Sequence, residues 1–333
     1  MNVLVTGSTG FIGSHLCQAL LTEGFRVRAF HRPSSPLTLL NGLQVEHVHG
    51  DLAQPETLQE AMKGVEVVFH AAAYLNKLAV LSEMLSVTVQ GTRNVMEAAT
   101  QAGVRRLVHT SSVAALGVPR HVPDSPSSPI DETQAWNYPA QWWPYGYAKY
   151  LAELEVQRAV AQGLDAVIVN PAVVIGAGDL NRVSGEVIVQ MAHHQLPFAP
   201  PGGLNVVHIA DVTRGHLAAM EHGRTGQRYI LGGDNLTHLK FLQFIAGVVN
   251  RHPPQIVVPA ILFRLLALPL SALARLIHIP VRTHTLRQAG TYFYYDLRKA
   301  QQELGLVTTH STRQAIQEAY DWYCQQGMIN SHT

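Results

Sequence analysis

Short apolar runs alternate with longer amphipathic stretches through the first 110 residues. Val3–Val5, Val27–His31, Val45–Val48, Val65–Phe69 and Arg106–Thr110 are rich in β-branched or continuously apolar positions, which predicts strands. Between them, Phe11–Glu23, Glu56–Met62 and Leu78–Ala102 read as helices. Strands that are apolar on both faces and separated by helices predict a parallel sheet covered on both sides. The alternation breaks at 117–144, where prolines 119, 123, 126, 129, 139 and 144 predict a long irregular loop. A loop of that length in a compact domain tends to be functional. A helix is predicted over Tyr145–Gln162, with Pro144 at its first position, where the missing N–H costs nothing. A further strand follows at Ala166–Asn170. The last third mixes helices with a few strands and predicts a second, smaller lobe.

Composition narrows the class. A chain of 333 residues suits two lobes, and 47% hydrophobic against 14% charged residues describes an apolar globular protein. A formal net charge of +1 argues against a nucleic-acid partner, which needs a basic face. The 18 histidines are scattered without a His-x-x-Glu-His or Cys-x-x-Cys spacing, so no metal is expected. Cys17 and Cys324 are a lone distant pair, which suits a reduced, cytoplasmic protein. Met1 runs straight into the first strand with no leader pattern. The most apolar stretch, Ile256–Ile279, is interrupted by Arg264, Pro269 and Arg275. It reads as a buried or interfacial helix pair, with at most a weak membrane-surface contact through 256–279.

"TGSTGFIG" sets Gly7, Gly10 and Gly13 at three-residue intervals between the first strand and the first helix. That context suits a dinucleotide. The turn must be tight, the backbone must approach a pyrophosphate, and the helix must pack on its strand, all of which side chains obstruct. Thr9, Phe11 and Ile12 then offer backbone N–H groups at the positive end of the helix. The expected fold class is therefore α/β: a Rossmann-type doubly wound parallel sheet with a smaller mixed α/β C-terminal substrate lobe. Residues 1–170, with a return segment at about 205–232, form the nucleotide-binding domain; 171–204 and 233–333 form the substrate lobe. An NAD site places an acid about 20 residues on, at the end of the second strand. No Asp or Glu occurs from Gly24 through Val45. The strand ends instead in Arg32, Ser34 and Ser35, and a guanidinium suits a 2′-phosphate. NADP(H) is the expected cofactor, with NAD(H) also admitted. Arg26 and Arg28 lie nearer the strand's start and read as solvated.

"WWPYGYAKY" (142–150) surrounds Lys149, one of five lysines, with three tyrosines. Only Tyr145 is four residues from Lys149 and shares its face of a helix. An ammonium there, with the helix N-terminus, favours the phenolate of a group that otherwise titrates near pH 10. Ser112 closes the fifth strand, at the sheet edge where open α/β folds place ligands.

With the glycine turn, "TSS" at 110–112 and Tyr145-x-x-x-Lys149 together, the chain resembles the extended short-chain dehydrogenase/reductases. Within them it is similar to the dihydroflavonol-reductase-like branch and to hopanoid-associated sugar epimerases, through "VRAFHRPSS", "GDL", "FHAAA", "GTRNVMEAA", "VNPAVVIG", "VHIADV" and "YILGG". The resemblance implies that Asp51 and Leu52 flank the adenine, that Ala71, Ala72 and Ala73 line the ribose side, and that Pro171 and Val173 also contact the cofactor. It implies that Ser112 hydrogen-bonds the reacting oxygen, Tyr145 is the general acid/base and Lys149 holds the nicotinamide ribose. It implies a homodimer through Leu78–Ala102 and Tyr145–Gln162. There are departures: Thr88 stands where many relatives carry asparagine, Asn170-Pro171 replaces Arg-Pro, and Val113-Ala114 replaces the acid pair of sugar dehydratases. A dehydratase thus lacks its machinery.

Two enzyme readings follow for a small-molecule substrate. One is a reductase or dehydrogenase of an apolar ketone or alcohol; the other is a sugar or nucleotide-sugar epimerase. A nucleotide-sugar site needs cations for the diphosphate. The expected substrate lobe is dominated by Leu, Ile, Val and Ala over 256–279, with Arg264, Arg275 and Arg282 the main cations, which suits an apolar substrate. A non-catalytic cofactor sensor is a third reading, against which the intact Tyr/Lys pair speaks.

Overall fold

The computed structural model describes residues 1–74, 81–119, 128–193, 196–262, 265 and 288–329. The chain opens with strand β1 (Asn2–Thr6), helix α1 (Phe11–Thr22), β2 (Arg26–His31), β3 (Glu46–His49), α2 (Pro55–Ala61) and β4 (Val67–His70). It continues through α3 (Leu81–Met84), a π-helical turn over Leu85–Gln90, α4 (Gly91–Gln101), β5 (Arg106–Thr110), α5 (Pro144–Ala161) and β6 (Ala166–Pro171). Then come β7 (Val173–Ile175), α6 (Glu186–His193), β8 (Phe198–Ala199), β9 (Gly203–His208), α7 (Ile209–His222), β10 (Arg228–Leu231), β11 (Asp234–Thr237), α8 (His238–Val248) and β12 (Ile256–Val257). Last are α9 (Arg298–Leu304) and α10 (Thr312–Gln325).

Seven strands form one parallel sheet in the order β10-β6-β5-β4-β1-β2-β3. Chain order reverses at β1 and β4, and the crevice at their carboxyl ends is where a doubly wound sheet binds ligands. The buried strands alternate between two apolar layers. Val3, Val5, Val67, Phe69 and Val108 pack on Leu16, Leu20 and Val212 of α1 and α7, whereas Leu4, Val68 and Leu107 pack on Leu58, Val95 and Val156 of α2, α4 and α5. This is why the strands read as continuously apolar. A smaller sheet, β11-β9-β7, gathers α6, α8 and α10 around Ile188, Ile245, Ile316 and Tyr323. Of the segment that returns to the first lobe, α7 and β10 join the main sheet and its layers, while β9 lies in the small sheet.

The helix predicted over Leu78–Ala102 begins, among the described residues, at Leu81 and is interrupted by the π-helical turn that carries Thr88, 6% exposed. Residues 78–80 lie outside the described residues. Such turns recur at functional sites. Within the predicted 117–144 loop, Ile130 bridges to Tyr295 and residues Ala140–Trp142 form a short 3-10 turn, while Pro123 and Pro126 lie outside the described residues. Arg28 is not simply solvated: it pairs with Glu46 at 3.0 Å and donates to the carbonyls of Ala61 and Lys63 at 2.7 and 3.0 Å, tying β2 to the end of α2. Sequence spacing cannot show a cross-strand partner of that kind. Of the apolar stretch at 256–279, Ile256, Ile261 and Leu265 are more than half exposed, and most of the remainder, with Arg264, Pro269, Arg275 and Arg282, lies outside the described residues. Among the described residues, no helix is long and apolar enough to cross a membrane.

Candidate active site

The glycine turn is built from backbone alone. Gly7 takes φ +68°, and a Cβ there would stand 2.6 Å from the backbone of Ala72. A Cβ on Gly13 would meet the Gly7 carbonyl at 2.1 Å, so α1 can dock on its strand only with glycine at that position. Gly10 precedes α1 and is less crowded, with 3.2 Å to the same carbonyl. No side chain caps this helix and its first turn holds no acid, so the N–H groups around Phe11, Ile12 and Gly13 remain available to an anion. Thr9 lies in the same turn. Ala71 and Ala72 close the cradle from β4, donating to the carbonyl and hydroxyl of Thr6 at 3.2 and 3.4 Å, with Ala73 following.

The residues expected on the adenosine side lie near the carboxyl ends of β2 and β3. Arg32 follows the last residue of β2 and is exposed; its carbonyl is bonded by the Ser35 N–H and the His31 ring, while its guanidinium makes no hydrogen bond or ion pair with a described residue. Asp51 follows β3 by two residues, its carboxylate accepting from the Ala53 N–H at 2.9 Å and shaping its own turn. Leu52 packs where a side chain on Gly91 would sit, and its carbonyl accepts from Asn94 at 2.7 Å. A narrow glycine cradle, an uncapped helix and an unengaged guanidinium fit a dinucleotide.

Ser112, Tyr145 and Lys149 meet at the carboxyl end of β5. Ser112 caps a short 3-10 turn, its hydroxyl accepting from the Ala114 N–H at 3.2 Å. Pro144 opens α5, as expected, and puts Tyr145 in its first turn. Gly146 explains the close docking: a Cβ there would stand 2.8 Å from both the Ala114 carbonyl and the Trp136 ring. Lys149, 2% exposed, donates from Nζ to the Thr110 carbonyl at 2.9 Å. Tyr147 and Tyr150 turn away, packing against Trp136 with ring centroids 5.8 and 6.1 Å apart.

Burial shifts the titration of both groups. Burial pushes the Tyr145 phenol above its ordinary value, and a hydrogen-bonding interaction with Ser112 only partly offsets this. Burial likewise lowers the Lys149 ammonium to about 8, opposed by the negative charge of Glu153. Desolvation, which spacing along a helix cannot reveal, dominates both shifts.

Pro171 ends β6, buried beside Leu231 of β10, and Val173 opens β7. Behind the triad is a buried polar group absent from the sequence argument. Glu153 receives Ser111 at 2.5 Å and Asn170 at 2.6 Å through one oxygen, and Arg228 at 3.0 Å through the other. Lys149-x-x-x-Glu153 spacing was the available signal for Glu153; Arg228, 75 residues on, had none. Three buried histidines, His70, His109 and His216, lie beneath the site, also unanticipated. Trp143 meets Phe293 with ring centroids 5.8 Å apart, and Phe293 packs with Val113 against the cluster of Leu116, which is close in sequence to Ser112. The segment around Phe293 thus returns to pack near the end of β5.

A glycine cradle at the switch point with a Ser–Tyr–Lys group at the next strands' ends defines an extended short-chain dehydrogenase/reductase. Residues 3–232 match the NAD dependent epimerase/dehydratase family, and the chain belongs to that family of NAD(P)-dependent oxidoreductases. It is 35% identical over 336 residues to sterol demethylase protein B of Methylococcus capsulatus, covering 99% of this chain and 100% of that protein. It is 36% identical over 344 residues to a Synechocystis protein provisionally named dihydroflavonol 4-reductase, covering 98% of this chain and 96% of that one. The crystal structure of gox2253 superposes with a TM-score of 0.87 at 35% identity, covering 98% of this chain and 99% of that one.

Proposed function

We propose that this enzyme is an NADP(H)-dependent reductase of a ketone or aldehyde on an apolar small molecule, working in reverse as an alcohol dehydrogenase. The observation that carries this reading is the Ser112–Tyr145–Lys149 group, with Val113, Trp143 and Phe293 packed together in the segments next to it along the chain and around it in the fold. Apolar, aromatic walls suit an apolar substrate, and the sterol and dihydroflavonol in the relatives' names are both of that class.

Gly7, Gly10 and Gly13, with the N–H groups of the α1 N-terminus, hold the pyrophosphate, and Arg32 holds the 2′-phosphate. Asp51 and Leu52 flank the adenine; Ala71, Ala72 and Ala73 line the ribose side, and Pro171 and Val173 complete the cofactor contacts. When bound, a reduced nicotinamide supplies the hydride. Ser112 hydrogen-bonds the substrate carbonyl and orients it, and Tyr145 donates its proton to that oxygen. A phenol kept protonated by burial is suited to act as the acid in reduction. Lys149 holds the ribose and keeps positive charge near the phenolate that forms.

A panel of apolar ketones with NADPH, followed by loss of its absorbance, alongside UDP-sugars with product analysis, tests the reading. Net cofactor consumption with the ketones is the expected result. An epimerised sugar without consumption would identify an epimerase, and silence from both would leave a cofactor sensor. Arg32→Ala should raise Km for NADPH about tenfold while leaving Km for NADH near its starting value, since one charge-assisted contact is lost. An NADH preference in the native enzyme that survives Arg32→Ala would remove the 2′-phosphate assignment.

The same reading includes a homodimer through α4 and α5. Leu154 on α5 and Val87 just before α4 are 45% and 38% exposed, leaving apolar side chains available to a second copy. Light scattering should give twice the 36.5 kDa of the chain; a monomer at micromolar concentration would reject it.

A further inference from the structure

The catalytic lysine has a buried counter-charge for which the chemistry just described makes no provision. Glu153 lies one helical turn after Lys149 on α5, on the same face, and is 4% exposed. An isolated carboxylate at that depth would be too costly, so its bonds must justify it. One oxygen, Oε1, accepts from Ser111 Oγ at 2.5 Å and Asn170 Nδ2 at 2.6 Å; the other accepts from Arg228 Nη1 at 3.0 Å. Arg228 is itself fixed by the carbonyls of Glu132 and Gln134 at 2.9 and 2.7 Å. Asn170 also donates to the Ser112 carbonyl at 2.9 Å. Glu153 therefore touches the residue before Ser112, the side chain that holds Ser112's own backbone, and the edge strand β10.

We propose that Glu153 is a positioning residue for the catalytic group: it fixes the backbone of Ser111 and Ser112 through Ser111 and Asn170, and its negative charge keeps Lys149 an ammonium in a fully buried site. The Asn170-Pro171 departure fits this role. An arginine at 170 would bring its own cation to Glu153, whereas asparagine leaves the carboxylate's charge to Lys149 and to Arg228, which reaches across from β10. The charged groups facing Glu153 are Lys149 from its own helix and Arg228 from β10. His70 and His109 face Lys149 from the sheet, and burial keeps both neutral near pH 7. Among the described residues, Glu153 is the one acid acting on the lysine, whose ammonium would otherwise titrate lower still.

This inference rests on the proposed role of Lys149, so Lys149→Met comes first: turnover that survives it would remove the reading itself. With Lys149→Met inactive, Glu153→Gln isolates the charge. The upper limb of the kcat–pH profile should move down by about one unit, with kcat at neutral pH reduced at least fivefold and Kd for NADPH at pH 6 within about twofold of wild type. A readout independent of turnover is the titration of the five lysines in ¹³C-lysine-labelled protein, assigned with Lys149→Met. The Lys149 signal should titrate lower in Glu153→Gln, the other four unchanged. An unmoved Lys149 titration and pH limb would overturn the proposal, even if the variant melts earlier. Should Glu153→Gln fail to fold, Glu153→Asp decides. The charge stays but one methylene is lost, so Ser111, Asn170 and Arg228 can no longer be held together. Its pH limb should stay while kcat falls; unchanged kcat would overturn the positioning role.

Discussion

Tyr145→Phe should lower kcat on the order of a thousandfold, within the range contributed by one general acid, and leave the dissociation constant of NADPH within about twofold. The expectation follows from where the hydroxyl stands. It is desolvated on a partly exposed ring, meets the Ser112 hydroxyl, and belongs to a helix docked on the serine's turn through Gly146. The substitution removes one oxygen and its proton, keeping the ring and hence the packing. Tyr147 and Tyr150, engaged with Trp136, are in no position to replace it. Tyr147→Phe should therefore remain within about twofold of wild type. Residual turnover above about a tenth in Tyr145→Phe, measured with saturating NADPH, would reject the assignment.

Acid should unfold this protein early, because three histidines are buried in their neutral form. Burial lowers His70 to about 3 and His216 to about 4, and holds His109 well below its ordinary value. His70 is bonded by Thr6 and Thr92 at 2.7 and 3.1 Å, and His216 by Thr110 at 2.9 Å and the Val212 carbonyl at 2.8 Å. His109 has no partner at either ring nitrogen among the described residues. Since the folded values lie below the unfolded one near 6.5, the unfolded chain takes up protons first as pH falls. Stability is complete above that value and lost progressively below it, ending near pH 4 for His216 and near pH 3 for His70. At pH 5 His70 and His216 cost about 2 kcal/mol each, together on the order of 4 kcal/mol, a large part of a domain's whole stability, and His109 adds to the loss in the same direction. The melting temperature should be nearly flat from pH 8 to 7 and fall by on the order of 10 °C at pH 5. His109→Leu breaks no hydrogen bond and should flatten that slope. A melting temperature unchanged between pH 7 and 5, or a slope indifferent to His109→Leu, would contradict the account.

The sequence by itself determined the parts that depend on neighbours along the chain. Apolar strands alternating with helices specified the parallel sheet, because burial on both faces leaves no polar positions to obscure the pattern. The glycine cradle was legible because its three glycines fall together at the first strand–helix junction, and Gly13 crowds backbone only six residues away, although the clash that fixes Gly7 comes from Ala72 after β4. Tyr145 and Lys149 could be paired from a single helical turn. The tertiary structure decided everything that depends on distance or desolvation. Arg28 found Glu46 across a strand pair and Arg228 found Glu153 across 75 residues, contacts that leave no periodic trace. Trp143 and Phe293 meet only because the substrate lobe folds back over the sheet. Burial moved the titration of Tyr145 up and that of Lys149 down, the reverse of what an ammonium beside a phenolate would do alone. A residue's place in the sequence carries its chemistry and its helical face, but the water it loses is known only once the whole chain has closed around it.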